Sequence, residues 1–166
     1  MMDQNWSCAL NELNAALDYD PDSSYLHMQI CQLYTLQGNF GKALGWCQKA
    51  KVLNPLYSET RFLLARIYAS LNRIDEAAAE YNALIMINPE DEEPYLSLSL
   101  IFTAQKNYSQ ALKTIKKLLA IDPHSVNALL ALGNLYGEQQ KLDKAEKVFK
   151  KAVAIDPTAE APLVNL

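Results

Sequence analysis

The side chains in this sequence that could do chemistry are few and scattered. His27 and Cys31 lie four residues apart, one turn of a helix, and Cys47 follows sixteen residues later. One nitrogen and two sulfurs form a donor set that zinc accepts. However, Cys8, Cys31 and Cys47 are an odd count with no paired spacing, which does not read as a disulfide framework. Cys31 and Cys47 read instead as small buried thiols. They are expected to be reduced, because facing helix axes run ~8–10 Å apart and a bridge needs Cα atoms within about 7 Å. Free thiols tilt an otherwise open compartment toward a reducing, cytoplasmic one. Gly38-Asn39-Phe40-Gly41-Lys42-Ala43 has the glycine and lysine content of a phosphate loop, but not its four-residue gap or its final Ser/Thr, and reads as a turn. His124 follows Pro123 and reads as solvated. No constellation of nucleophile, base or paired carboxylates stands out, so the chain reads as non-enzymatic, with no catalytic residue, metal or cofactor.

Charge gives a second set of candidates. Lys113, Lys116 and Lys117 recur 34 residues on as Lys147, Lys150 and Lys151. They form a basic patch on one helical face, which is either simply solvated or faces an anionic partner or membrane surface. Net charge is −4, with −5 over residues 1–91 and +1 over 92–166, and no aromatics interleave the lysines. Nucleic acid is therefore not the expected partner. The chain is 50% apolar and 20% charged, an ordinary globular composition. It has no apolar run of membrane-spanning length, so no membrane insertion is expected. The start, Met1-Met2-Asp3-Gln4-Asn5-Trp6, shows no basic region followed by an apolar one, as a leader would.

What must position these residues is a repeat. Pro21, Pro55, Pro89, Pro123 and Pro157 stand 34 residues apart without a slip, each after Asp or Asn. Proline ends a helix, because it disfavours helical geometry in the residue before it and cannot donate to a continuing ladder. Counting from Ser24 gives four full repeats, 24–57, 58–91, 92–125 and 126–159. A truncated second helix lies in 1–23 and the start of a further repeat in 160–166. Each full repeat carries two helical stripes around a polar break. The predicted helices are 24–37 and 40–53, 58–71 and 74–87, 92–104 and 108–121, 126–138 and 142–155. Ser58, Asp91 and Ser125 read as caps of first helices. Pro94 and Pro162 fall in first turns, where a missing N–H is harmless.

The columns carry the packing. The eighth place holds Cys31, Ala65, Ser99 and Gly133, and the twentieth Ala43, Ala77, Ala111 and Ala145. The eleventh holds Tyr34, Tyr68, Phe102 and Tyr136. Small residues let paired helices approach, and large ones fill the gaps between hairpins. This pattern resembles the tetratricopeptide repeat family over residues 3–166. One departure is the fourth place, often Trp in the family, which holds His27, Arg61, Tyr95 and Leu129. Packing at the mouth of each hairpin should vary accordingly. The resemblance implies an all-α, right-handed solenoid of stacked antiparallel helix hairpins.

In the family, first helices line a concave face where partners bind. The positions this implies as a peptide-binding groove are Tyr25, Met28 and Gln32; Glu59, Phe62 and Arg66; Glu93, Leu96 and Leu100; and Asn127, Leu130 and Asn134. The family's clamp for a chaperone's terminal carboxylate maps onto Met28, Gln32, Leu63, Glu93 and Ser97. One repeat along, it maps onto Phe62, Arg66, Ser97, Asn127 and Ala131. Neither set supplies its cations. An inward asparagine ladder is also missing, since only Asn134 stands at its place.

The expected function is a non-catalytic interaction scaffold or adaptor holding a protein, peptide or helix by apolar contacts. The alternatives are a regulatory or localising arm of a larger multidomain enzyme, and a self-assembling module. Both ends stop in mid-repeat, which suggests a cut from a longer array. Apolar Leu10, Leu13 and the tail Pro162-Leu163-Val164-Asn165-Leu166 suggest end-to-end association.

Overall fold

The computed structural model describes residues 2–158, with side chains from Trp6 onward. Among them there is no strand. The helices are α1 (Met2–Tyr19), α2 (Ser24–Leu36), α3 (Phe40–Leu53), α4 (Ser58–Ser70), α5 (Ile74–Ile87), α6 (Glu92–Ala104), α7 (Tyr108–Ile121), α8 (Val126–Glu138) and α9 (Leu142–Ile155). The eight from α2 onward lie within a residue of where periodicity puts them. The chain divides into two compact units, Met1–Ile87 and Asn88–Leu166. The first contains α1 and the hairpins α2–α3 and α4–α5; the second contains the hairpins α6–α7 and α8–α9.

The proline period has a polar counterpart. Asn54, Asp122 and Asp156 leave their helices in extended conformation, as a residue before proline must. The side-chain oxygens of Asn54, Asn88, Asp122 and Asp156 then accept the backbone N–H two residues on, at 3.3, 3.3, 2.8 and 2.9 Å. At four of the five prolines the preceding Asp or Asn thus supplies the short acceptor that closes the turn. At Asp156, hydrogen bonds from the Thr158 hydroxyl and N–H hold the carboxyl below its usual range.

Each hairpin turn is built alike. Gly38, Asn72, Lys106 and Gln140 have φ of 72°, 57°, 59° and 58°, the left-handed residue that ends many helices. The N–H of the following residue donates to the carbonyl of Tyr34, Tyr68, Phe102 or Tyr136, at 2.8–2.9 Å. The aromatic column thus sits where the chain reverses, and Lys42, Arg73 and Lys144 lie over the rings of Tyr34, Tyr68 and Tyr136. Two of the expected caps form: Asp91 accepts from Glu93 N–H and Ser125 from Ala128 N–H. Ser58 does not cap. It is the first residue of α4, and Tyr57 takes the cap position without a side-chain hydrogen bond.

The core follows the columns. Ala43, Ala77, Ala111 and Ala145 are fully buried, as are Cys31 and Ala65. In the last hairpin a Cβ on Gly133 would sit 2.3 Å from the Phe149 ring. Gly133 is small because Phe149, at the twenty-fourth place, reaches across the hairpin onto it; the same two places hold Ala65 and Tyr81, and Ser99 and Ile115, in the middle hairpins.

In the first hairpin this pair of places holds Cys31 and Cys47, and they are joined by a disulfide with Cα atoms 5.3 Å apart. The expectation of two reduced thiols is corrected. The spacing between helix axes was the wrong measure, because at facing small positions the Cα atoms approach within bridging range. With both sulfurs bonded to each other, the His27–Cys31–Cys47 donor set is gone. No group of three or more metal-ligating side chains occurs among the described residues. The thiol argument for a reducing compartment loses its premise. Cys8 is free and exposed.

The varied fourth place is accommodated case by case. His27 is buried, its Nδ1 2.8 Å from the Ser23 carbonyl and its ring tilted against Trp46. Arg61 and Tyr95 both reach back six residues, donating to the carbonyls of Pro55 (2.8 Å) and Pro89 (3.2 Å). Arg61 also pairs with the buried Glu80, which Lys51 contacts from α3. One carboxylate thereby ties three helices together. Leu129 is simply buried.

Candidate functional site

In the C-terminal unit the first helices α6 and α8 pack against each other and leave a cleft of about 270 Å³. Its walls include Leu96, Leu100, Asn127, Leu130 and Asn134, five of the six groove positions that the sequence places in this unit. The sixth, Glu93, is exposed but outside the lining. Helical spacing explains the grouping, since Leu96 and Leu100, like Leu130 and Asn134, are four residues apart on one face. Leu100 is 70% exposed, a large aliphatic side chain left on the surface of an otherwise well-packed hairpin.

The polar groups of the cleft are unequally engaged. Ser99 and Thr103, which also line it, donate to carbonyls of their own helix, Leu96 and Ser99, each at 2.8 Å. Asn127 donates to Glu92 at 3.1 Å and so bridges α8 to α6. Asn134 is exposed and makes no side-chain hydrogen bond to another described residue. The site can therefore offer aliphatic surface plus a single adaptable amide. Its lining holds no titratable base beside the Ser99 and Thr103 hydroxyls.

In the N-terminal unit the corresponding positions do not behave as a set. Tyr25, Gln32, Glu59 and Arg66 are exposed on α2 and α4. Met28 is only 4% exposed and belongs to the core. Phe62 is half-buried and meets Tyr81 edge to face at 5.7 Å between ring centres. The apolar fifth column thus serves packing at its first two places. Sequence reasoning had no signal for this split, because Met28, Phe62, Leu96 and Leu130 are all apolar.

Sequence reasoning also missed the pairing of Cys31 with Cys47. The signal was present in the complementary sizes of the eighth and twenty-fourth columns, which reveal that the two places face each other. The terminal features are less accessible. Leu10 and Leu13 on α1 are half-buried, whereas Pro162 and the apolar tail through Leu166 lie outside the described residues.

Comparison with known proteins agrees with this architecture. Residues 102–164 match the family model described as tetratricopeptide repeat. Residues 2–84 match a model described as anaphase-promoting complex, cyclosome, subunit 3. No curated protein matches the sequence. Among solved structures, MamA is similar at 20% identity, with 94% of this chain and 91% of that one covered and a TM-score of 0.78. A tetratricopeptide repeat protein of Parabacteroides merdae is 23% identical, over 94% of this chain and 62% of that one, with a TM-score of 0.79. TTC0263, a thermophilic protein of this repeat class from Thermus thermophilus, is 20% identical over 92% and 84%, with a TM-score of 0.67. At such identities the likeness concerns the fold, an all-α helical repeat solenoid of a kind that generally mediates protein–protein interactions. The chain belongs to the tetratricopeptide repeat family.

Proposed function

We propose that this chain is a non-catalytic interaction scaffold or adaptor that holds a peptide or helix of a protein partner against its first helices. The cleft between α6 and α8 is the principal contact. The observation that carries the reading is Leu100, 70% exposed beside Leu96 and Leu130 in one concave lining. An exposed aliphatic group in a concavity gains from burial by a partner, at ~25 cal/mol per Å² of apolar area covered. Asn134 would fix the register by hydrogen-bonding the partner's backbone. In the N-terminal unit Tyr25, Gln32, Glu59, Phe62 and Arg66 would supply further contacts, whereas Met28 is withdrawn from the set by its burial.

The test is to select a peptide from a random display library on the folded protein and compare its affinity for variants. Replacing Phe62, Leu96 and Leu100 with Ser together is expected to cost at least tenfold in affinity. Because Phe62 also supports Tyr81, Leu100→Ser alone is the cleaner probe and should weaken binding with helicity unchanged. Undiminished binding to both variants would sink the assignment.

The match of residues 2–84 to a subunit of a large assembly favours a second reading, in which the chain is a structural subunit or localising arm within a larger complex or multidomain protein. Self-association through the chain ends is the form this would take without a foreign partner. Mass measurement across a concentration series distinguishes it, since end-to-end contact predicts a mass that climbs with concentration.

A further inference from the structure

We propose that the outer face of the C-terminal unit is a second, independent binding surface, which takes an acidic polypeptide segment on a two-rung ladder of lysines. Lys113, Lys116 and Lys117 on α7, and Lys147, Lys150 and Lys151 on α9, occupy the same twenty-second, twenty-fifth and twenty-sixth places of successive repeats. All six are exposed. In the N-terminal unit those places hold Gly45, Gln48, Lys49 and Ala79, Asn82, Ala83, so the ladder belongs to the C-terminal unit alone and does not follow from the repeat framework.

Most of the charge on this face is unneutralised. α7 contains three lysines and no acidic residue, although the chain carries a net charge of −4. Among the described residues only Lys150 of the six has an ion-pair partner, Glu146 on its own helix. Like charges at i,i+3 and i,i+4 destabilise a helix by a few tenths of a kcal/mol per pair. Both helices accept that cost at the same places, and a partner's carboxylates would relieve it.

Two observations select an acidic protein segment over other polyanions. Lys113, Lys116 and Lys117 surround a shallow, open depression on α7 that Leu112 and Ala120 also line. Apolar groups set among lysines in this way suit an aliphatic side chain flanked by carboxylates. The apolar sides of both helices go mainly to the core through Ile115, Leu118, Phe149 and Ala152, and the large apolar groups left exposed, Ile121, Leu142, Val153 and Ile155, stand in first or last turns. The ladder also lacks arginine and aromatic side chains, the groups that stack on bases.

The probe is a fluorescein-labelled peptide of sequence EDLEELDE, followed by polarisation in about 50 mM and about 300 mM NaCl, between which screening shortens the reach of exposed charges. Binding that weakens with salt is expected. It should fall at least tenfold when the six lysines are changed to Gln and persist in Lys49→Gln. Because all six are solvent-exposed, circular dichroism should show the sextuple variant folded; the two triple variants, one per helix, carry the test if it is not. Failure of the peptide to bind, or binding indifferent to these substitutions, overturns the proposal. So does lysine-dependent pelleting with phosphatidylserine vesicles when the peptide is ignored. Equal affinity for EDSEESDE overturns the role given to Leu112 and Ala120. None of these outcomes involves α6 or α8, so they leave the cleft reading to its own test.

Discussion

Cys31 on α2 and Cys47 on α3 are bonded across a Cα–Cα distance of 5.3 Å, at the two places of the repeat where Gly133 meets the Phe149 ring in the last hairpin. The same close approach is filled by a covalent bond at one end of the chain and by a glycine under an aromatic ring at the other. We predict that the bond stabilises the first hairpin. Closing a loop of 16 residues restricts the unfolded chain by about 3 kcal/mol. Urea unfolding with and without a reductant should show a loss of that order, and the Cys31→Ala, Cys47→Ala double variant should lose the response. Alkylation of the native, unreduced protein should label Cys8 alone; labelling of all three cysteines would contradict the bond.

The partner relation at the other end is testable by size exchange. Gly133→Ala gains about 1 kcal/mol of helix propensity, but its Cβ would collide with a buried ring, and overpacking costs ~1–3 kcal/mol. The net expectation is destabilisation by about 1 kcal/mol. In a Phe149→Ile background, which puts at the twenty-fourth place the residue found there as Ile115, the same Gly133→Ala change should become neutral or stabilising. A double-mutant cycle from chemical denaturation gives the coupling, and additivity would show that the two places do not touch.

How much of this was legible in the sequence depends on what kind of signal each feature leaves. Helix ends were legible because Pro55, Pro123 and Pro157 and their Asn or Asp neighbours act locally, and local chemistry repeats wherever the residues do. The left-handed turns were half legible: Gly38 announces one, whereas Lys106 and Gln140 have no such preference and are held there by their hairpins. The disulfide and the separation of Met28 from Leu96 were not read, since both depend on which side chains face each other across elements. Burial, which no residue type carries, decides whether an apolar column is core or surface.

The turns themselves make a prediction. Lys106 and Gln140 adopt φ near +60°, where a side chain costs ~1–2 kcal/mol relative to glycine. Lys106→Gly and Gln140→Gly should each raise stability by about 1 kcal/mol, and Gly38→Ala should lower it similarly. Thermal melts of the three variants decide this; opposite signs would mean that the side chains make compensating contacts.

Alkaline pH probes the fourth place. Burial raises the Tyr95 phenol above its ordinary value of 10.0, so the folded state favours the neutral form. Its contribution is complete below the unfolded-state value and is lost as pH rises through the raised one. Tyr95→Phe removes this ionisation along with the hydrogen bond to the Pro89 carbonyl, a loss of about 1 kcal/mol at neutral pH. The fall in melting temperature above about pH 10 should be shallower in Tyr95→Phe than in the parent. Equal slopes would mean that Tyr95 ionises as freely in the fold as out of it.

The central claim is that a partner peptide lies in the cleft between α6 and α8. Amide chemical-shift mapping with a display-selected peptide addresses it directly, since each backbone N–H reports its own surroundings. The expected result is perturbation concentrated at Leu96, Leu100, Leu130 and Asn134, weakened by Leu100→Ser. Perturbations confined to other helices, with α6 and α8 silent at saturation, would contradict the claim.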